Sequence, residues 1–199
     1  MNEPRKQAER SAATRAALIT AATPLFGRRG YSGVGTGELA EAAGVTRGAL
    51  YHQFADKREL FAAVFESVEQ ELIERIADRI AEAGPSDPLG ALAEGAEVLI
   101  DAVLEPEFRQ IAALDAPGVL GWEEWRQISE RYGLGLIVAG ITAAIEEGSI
   151  RDQPVAPVAH LLLGALNEGA MYVAVAEDPD RARRETLAAL QGLLQSLRA

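Results

Sequence analysis

The stretch Gly35–Phe54, GTGELAEAAGVTRGALYHQF, reads as two short helices around a tight turn. Thr36 is a predicted N-cap, since its hydroxyl can accept an orphan backbone N–H of a first helix. Leu39, Ala40 and Ala43 then recur on one helical face. Gly44 stands where the chain must stop and turn, and glycine takes a left-handed conformation without steric penalty. Val45 follows as a buried plug, Thr46 is a second predicted N-cap, and Arg47–Phe54 gives the next helix. This is helix-turn-helix grammar.

The second helix divides by its periodicity. Leu50 and Phe54 are four apart and face inward. Gly48 and His52 lie nearly opposite, flanked by Arg47 and Tyr51. That outward set suits a DNA groove: an arginine can bond guanine edges or phosphate, and a glycine allows close backbone approach. Tyr51 and His52 can donate to phosphate oxygens, and Thr46 with the helix N-terminus offers further donors. A plain helical hairpin with a solvated outer face fits these twenty residues equally well.

The flanking sequence tips the balance. TRAALITAATPLFGRRGYSGVGTGELAEAAGVTRGALYHQFADKRELFAAVFE resembles the DNA-binding domain of the tetracycline-repressor (TetR) family. The matching features run from Thr14 to about Glu66: LFGRRGY, Thr36, LAEAAGV, TRGALYHQF, DK and ELF, in order. Pro24 departs from the family, which has a helix-former there, and predicts a kink. Gln53 stands where a histidine is common, with His52 beside it. The resemblance implies that Lys57, at the start of the following helix, contacts phosphate. The helix dipole argues against a merely solvated lysine at that end.

Composition bounds the rest. With 199 residues, 48% of them hydrophobic, the chain can bury a substantial core as one or two domains. It has no cysteine, which excludes disulfide and thiol chemistry. No apolar run approaches the ~20 residues of a bilayer span and no signal-peptide pattern opens it, so a cytoplasmic location is expected. The net charge of −11 is unevenly spread: residues 1–60 hold nine Lys/Arg against six Asp/Glu, the remainder ten against twenty-four. Only the part facing DNA has to meet phosphate, so the local balance governs.

Residues 1–11 are polar without apolar periodicity and predict a flexible tail, or alternatively a minor-groove arm. A helix from near Thr14 to Phe26 turns Leu18, Ala22, Leu25 and Phe26 inward. In the loop from Gly27 to Gly35, Tyr31 either packs or meets phosphate. Gly35-Thr-Gly37-Glu-Leu-Ala40 matches the dinucleotide fingerprint, which works only after a β-strand. No strand pattern precedes it, and that reading is rejected.

Lys57–Ala83 predicts a helix ~40 Å long, its apolar stripe formed by Phe61, Val64, Phe65, Val68, Leu72, Ile76 and Ile80. Gly84–Pro88 stops it, and Asp87 with Pro88 opens the next. Helices follow over 89–104, from Pro106 to about 115–118, over 121–147 (loosened by Gly133, Gly135 and Gly140), 158–175 and 180–197. The expected fold is all-α: a tail (1–11), a helix-turn-helix domain (12–60, motif 35–54), and a helical ligand-binding and dimerisation domain (61–199).

Leu187, Leu190, Leu194 and Leu197 step like a coiled-coil seam, and Val158, Leu161, Leu162, Ala165, Leu166 and Val173 form a broad apolar face. Packing within the chain is the simple reading, and part of each stripe serves it; the resemblance implies that these last two helices also pair with their copies in a four-helix bundle, with Gly164 and Ala165 allowing close approach. A symmetric dimer also fits the chemistry, because one short helix reads too few bases for useful specificity. The middle helices are expected to enclose a small-molecule effector, with Asp115, Trp122, Arg126, Tyr132, His160 and Asn167 as candidate liners. For each, packing or capping is the alternative.

An enzyme is poorly supported. Two distant histidines, no cysteine, no H-E-x-x-H and no P-loop leave no metal or nucleotide site, so no cofactor is expected. A helical scaffold binding protein is the other alternative. The chain is read as a homodimeric, ligand-responsive transcriptional regulator, in the family's manner mostly a repressor, binding a palindromic operator.

Overall fold

Gly44 lies at φ +66°, the conformation the turn requires. Its N–H donates to the Glu41 carbonyl and that of Val45 to the Ala40 carbonyl, a Schellman closure of the preceding helix. A computed structural model describes residues Glu3–Arg198 and sets this turn between α2 (Thr36–Ala42) and α3 (Arg47–Gln53). Thr46 caps α3 as its sequence predicts, its hydroxyl accepting from the Ala49 N–H at 3.1 Å. Thr36 does not cap α2. Gly35 is the N-cap, without a side-chain bond, and Thr36 is the first helical residue, its hydroxyl turned to Arg47 and Tyr51. Val45 is half-buried rather than a closed plug.

The chain forms two compact units: the residues up to Val68 with Pro106–Trp122, and Glu69–Glu105 with Glu123 onward. In the first, α1 (Glu3–Arg29) inserts Leu18, Ala22 and Phe26, α2 adds Leu39 and Ala40, and α3 adds Leu50, followed at its end by Phe54. The first turns of α4 (Lys57–Ala83) close this core with Leu60, Phe61, Val64 and Phe65. Phe26 meets Phe61 edge-on at 5.2 Å, and Tyr31 packs against both. A third layer comprises α6 (Pro106–Phe108), a π-helical turn (Arg109–Asp115) and α7 (Ala116–Leu120). Arg58 holds α7 by donating to the carbonyls of Val119 and Leu120.

The expected tail over 1–11 is instead helical from Glu3, within α1; Met1 and Asn2 lie outside the described residues. The segment has no apolar period because its early turns have little to bury, yet Ser11 and Gln53 exchange side-chain hydrogen bonds. Helix α1 also runs through Pro24, and Leu25 is only half-buried.

In the second unit, α4 continues through Ala83 and is followed by α5 (Pro88–Ala102), α8 (Trp122–Ser129), a π-helical turn (Glu130–Leu134), α9 (Gly135–Glu146), α10 (Val155–Ala174) and α11 (Pro179–Ser196); Trp122 alone of α8 belongs to the first unit. Asp87 and Asp178 cap α5 and α11 through the N–H groups of Gly90 and Arg181. Leu89, Ile137, Ile141, Leu163 and Leu194 form the centre. Arg183 ties α11 to α5 by donating to Glu97 and to Asp101; those carboxylates, Asp101 foremost, push its pKa up.

The π turn falls where Gly133 and Gly135 weaken the helix. The whole run from Trp122 to Glu146 is long and apolar enough by composition to span a membrane, which the short apolar runs of the sequence conceal. Within that run Trp125, Ile128, Ile137 and Ile141 are buried by the protein itself. Among the described residues β-structure is limited to one isolated bridge, Ile150 with Arg198.

Two leucines of the seam serve packing within the chain. Leu190 and Leu194 are buried within the chain at 6% and 7% exposure, while Leu193, off the seam, is half exposed. Leu194→Arg therefore strikes the core. It is expected to lower stability by roughly 3–5 kcal/mol, because it leaves a charge buried and unpaired, read as a large fall in the thermal midpoint by circular dichroism. An unchanged midpoint would contradict this packing.

Candidate functional site

Two sites emerge, one in each unit. On α3, Arg47, Gly48, Tyr51 and His52 are all exposed, while Leu50 is fully buried beneath them. The face is organised. The Arg47 guanidinium donates to the Thr36 hydroxyl at 3.2 Å, and the Tyr51 hydroxyl lies 3.2 Å from the same oxygen. Thr36 thus fixes two long side chains whose rotamer freedom would otherwise oppose binding. A side chain added at Gly48 would meet only the Thr46 hydroxyl, at 3.8 Å, so the backbone there is open to a partner. This face can donate several hydrogen bonds from one short helix whose N-terminus is also exposed.

Lys57 sits elsewhere. Its ammonium donates to the carbonyls of Tyr31 (2.9 Å) and Val34 (3.1 Å) and lies 4.0 Å from the Tyr31 ring centroid. Two of its three hydrogens therefore hold the loop before α2, which its position at a helix start did not disclose. The phosphate contact implied for it has one hydrogen left to use.

The second site is a cavity of about 210 Å³ in the second unit. Its walls are apolar, with Leu72 and Ile76 from α4, Leu92 and Leu99 from α5, Ile137 from α9 and Leu163 from α10. Of the six liners expected from sequence, only Asn167 reaches it. Asp115 accepts a hydrogen bond from the Tyr31 N–H at 2.7 Å, inside the first unit. Trp122 also belongs to the first unit and is 63% exposed. Arg126 and His160 converge on Glu130, the arginine at 2.8 Å and the imidazole at 3.4 Å. Tyr132 lies on the π turn, half-buried, off the cavity wall. Polar side chains in the middle helices thus mostly pair with one another, and the cavity is what the apolar faces leave open.

Sequence reading missed Glu69. It lines the cavity from α4. The residue keeps some open surface, and the loss of solvent around its carboxyl pushes its pKa up to about 7. The signal is present in the register: Phe65, Glu69, Leu72 and Ile76 step by 4, 3 and 4, placing a carboxylate on the helix's inward face.

The arrangement defines a class: an all-α protein presenting an organised helix-turn-helix in one unit and an apolar cavity in the other. Known proteins give it a family. Residues 18–64 match the model of bacterial regulatory proteins of the tetR family, and residues 89–197 the tetracyclin repressor-like C-terminal domain. The transcriptional regulator CymR of Pseudomonas putida is 36% identical over 143 residues, covering 68% of this chain and 70% of CymR. The TetC protein of transposon Tn10 from Escherichia coli is 26% identical over 198 residues, covering 100% and 99% of the two chains. A TetR-family regulator from Pectobacterium atrosepticum has a crystal structure that superposes with a TM-score of 0.84 at 30% identity, covering 96% and 97%. The chain belongs to the TetR family of transcriptional regulators, and is not an enzyme.

The Glu69 shift carries a stability prediction. Its folded pKa, about 7, lies above the ordinary value of 4.5, so the native state holds a proton that the unfolded state releases between those values. This residue's contribution to stability therefore falls as pH rises from about 4.5 through about 7. Glu69→Gln should remove that component. Thermal midpoints at pH 5 and pH 7.5 are expected to differ less favourably for acid in the variant than in wild type; equal pH dependence in both would contradict the burial.

Proposed function

We infer that this chain is a repressor that binds a near-palindromic operator as a homodimer and leaves it when a small organic molecule occupies the cavity. The observation that carries this reading is the α3 face, where Thr36 holds Arg47 and Tyr51 beside an unobstructed Gly48. Arg47 reads base edges in the major groove, and Thr46, Tyr51 and His52 meet phosphates. Repression follows from a dimer excluding polymerase at a promoter.

Dimerisation is supported by the apolar groups that the single chain leaves outside. Leu161 (74% exposed) and Tyr172 (55%) share one face of α10, Val175 (71%) follows at its C-cap, and Leu193 (49%) projects from α11. A side chain added at Gly164 or Gly192 would meet nothing within 4 Å, leaving room for close helix approach. Leu161→Arg with Leu193→Arg should yield a folded monomer by light scattering with helicity retained. A dimer of unchanged mass would reject this face.

Effector release is supported by α4. The helix contributes Leu60, Phe61, Val64 and Phe65 to the core beneath the helix-turn-helix, and its later turns line the cavity with Glu69, Leu72 and Ile76. A ligand that prefers one setting of those later turns biases a helix that both units share.

Selection of binding sites from random duplex DNA by the full chain tests the DNA reading. Enriched sequences should be two inverted half-sites about one helical turn apart or slightly more. Arg47→Ala should lose about 1–3 kcal/mol of discrimination at particular base pairs. Enrichment of no motif, or an Arg47→Ala variant with unaltered preference, would refute the assigned face.

A further inference from the structure

The cavity's lining is chemically one-sided. Its walls are aliphatic, and the polar side chains among them are Glu69, Ser129 and Asn167. Ser129 and Asn167 are neutral. Among the described residues no lysine, arginine or histidine lines it, and no aromatic ring does either. Glu69 is thus the one ionisable group among them facing the space, and no hydrogen-bond or ion-pair partner is found for it there. A leucine or glutamine would fill the same place on α4 at lower cost, because an isolated carboxylate in an apolar wall is strongly disfavoured.

From this the geometry points to a ligand class: the cavity takes a small lipophilic amine, its ammonium paired with the Glu69 carboxylate and its hydrocarbon body against Leu72, Ile76 and Leu163. The inference rests on the cavity being the effector site. A cation supplies what the carboxylate lacks, and an ion pair hydrogen-bonded inside an apolar wall is charge-assisted. A carboxylate ligand would place a second negative charge beside the ionised Glu69 and is disfavoured on the same ground. The missing rings matter too. With no aromatic face to hold a cation, Glu69 is its sole counter-charge.

Volume limits the body. An apolar cavity of roughly 150 Å³ accommodates benzene, so about 210 Å³ suits one ring with a short amine arm, or an alkyl chain of moderate length. The Glu130–Leu134 π turn contributes Gly133 to the wall shortly after Ser129. A π turn inside a helix recurs at functional sites, which agrees with this wall having been shaped for a guest.

The test is isothermal titration of the full-length protein at pH 7.5 with primary amines from n-butylamine to n-decylamine and 2-phenylethylamine, each beside its matching alcohol and carboxylic acid. The best amine is expected to bind roughly tenfold or more tighter than its alcohol, with the acid weaker than the alcohol. In Glu69→Gln the amine should fall to the level of the alcohol, whose own affinity is unchanged. Leu99→Phe, which narrows the cavity, should weaken both and so locate them. Alcohols binding as tightly as amines, an amine preference that survives Glu69→Gln, or no amine binding at millimolar concentration would each overturn the inference. Operator gel shifts in the presence of the same compounds separate this from the effector reading. Alcohols that release operator as well as amines do leave that reading standing and this one refuted. Amines that bind through Glu69 without affecting operator uphold the ligand class and refute the effector role.

Discussion

Everything in this protein depends on α4 belonging to two cores. Its first turns are fully buried beneath the helix-turn-helix through Leu60, Phe61, Val64 and Phe65, while Leu72 and Ile76 face the cavity of the second unit. A 27-residue helix with one apolar stripe suits such an element, because every turn stays hydrogen-bonded whichever core it serves. The same stripe creates the constraint. A residue placed on it by periodicity is turned inward whatever its polarity, as Glu69 is.

The start of α4 carries a second constraint. Lys57 draws the carbonyls of Tyr31 and Val34 onto its ammonium, and Tyr31 in turn packs on Phe26 and Phe61. Asp115 completes the loop's satisfaction from the other side by accepting the Tyr31 N–H. The loop that delivers the chain to α2 is therefore held at both its backbone donor and its acceptors. Thr36, at the end of that loop, is where Arg47 and Tyr51 find their anchor. Positioning of the α3 face is a chain of short contacts rather than a property of α3 alone, which buries only Leu50.

Much of this was legible in the sequence, and the exceptions share a cause. The turn at Gly44, the cap at Thr46, the stop at Gly84 and the cap at Asp87 are local, and local chemistry decided them. The 57–83 helix and the inward set Leu18, Leu39, Leu50 and Phe54 follow from periodicity. What sequence could not resolve was which partner a side chain meets. Lys57, placed at a helix start, also holds two carbonyls of the loop before α2. Leu190 and Leu194 have coiled-coil spacing, which any buried helix face shares, and are consumed within the chain. Arg126 and His160 are polar residues in the right helices, yet Glu130 takes both. The N-terminal turns of α1 had no apolar signal to betray them.

If α4 couples occupancy of the cavity to occupancy of operator, as proposed, the direct measurement takes a compound that raises the unfolding midpoint of wild type more than that of Leu99→Phe. Operator is titrated with and without it, and the compound with and without operator. Each is expected to weaken the other by the same factor, typically about 5–150-fold. A compound that fills the cavity and leaves operator affinity unchanged would contradict the coupling.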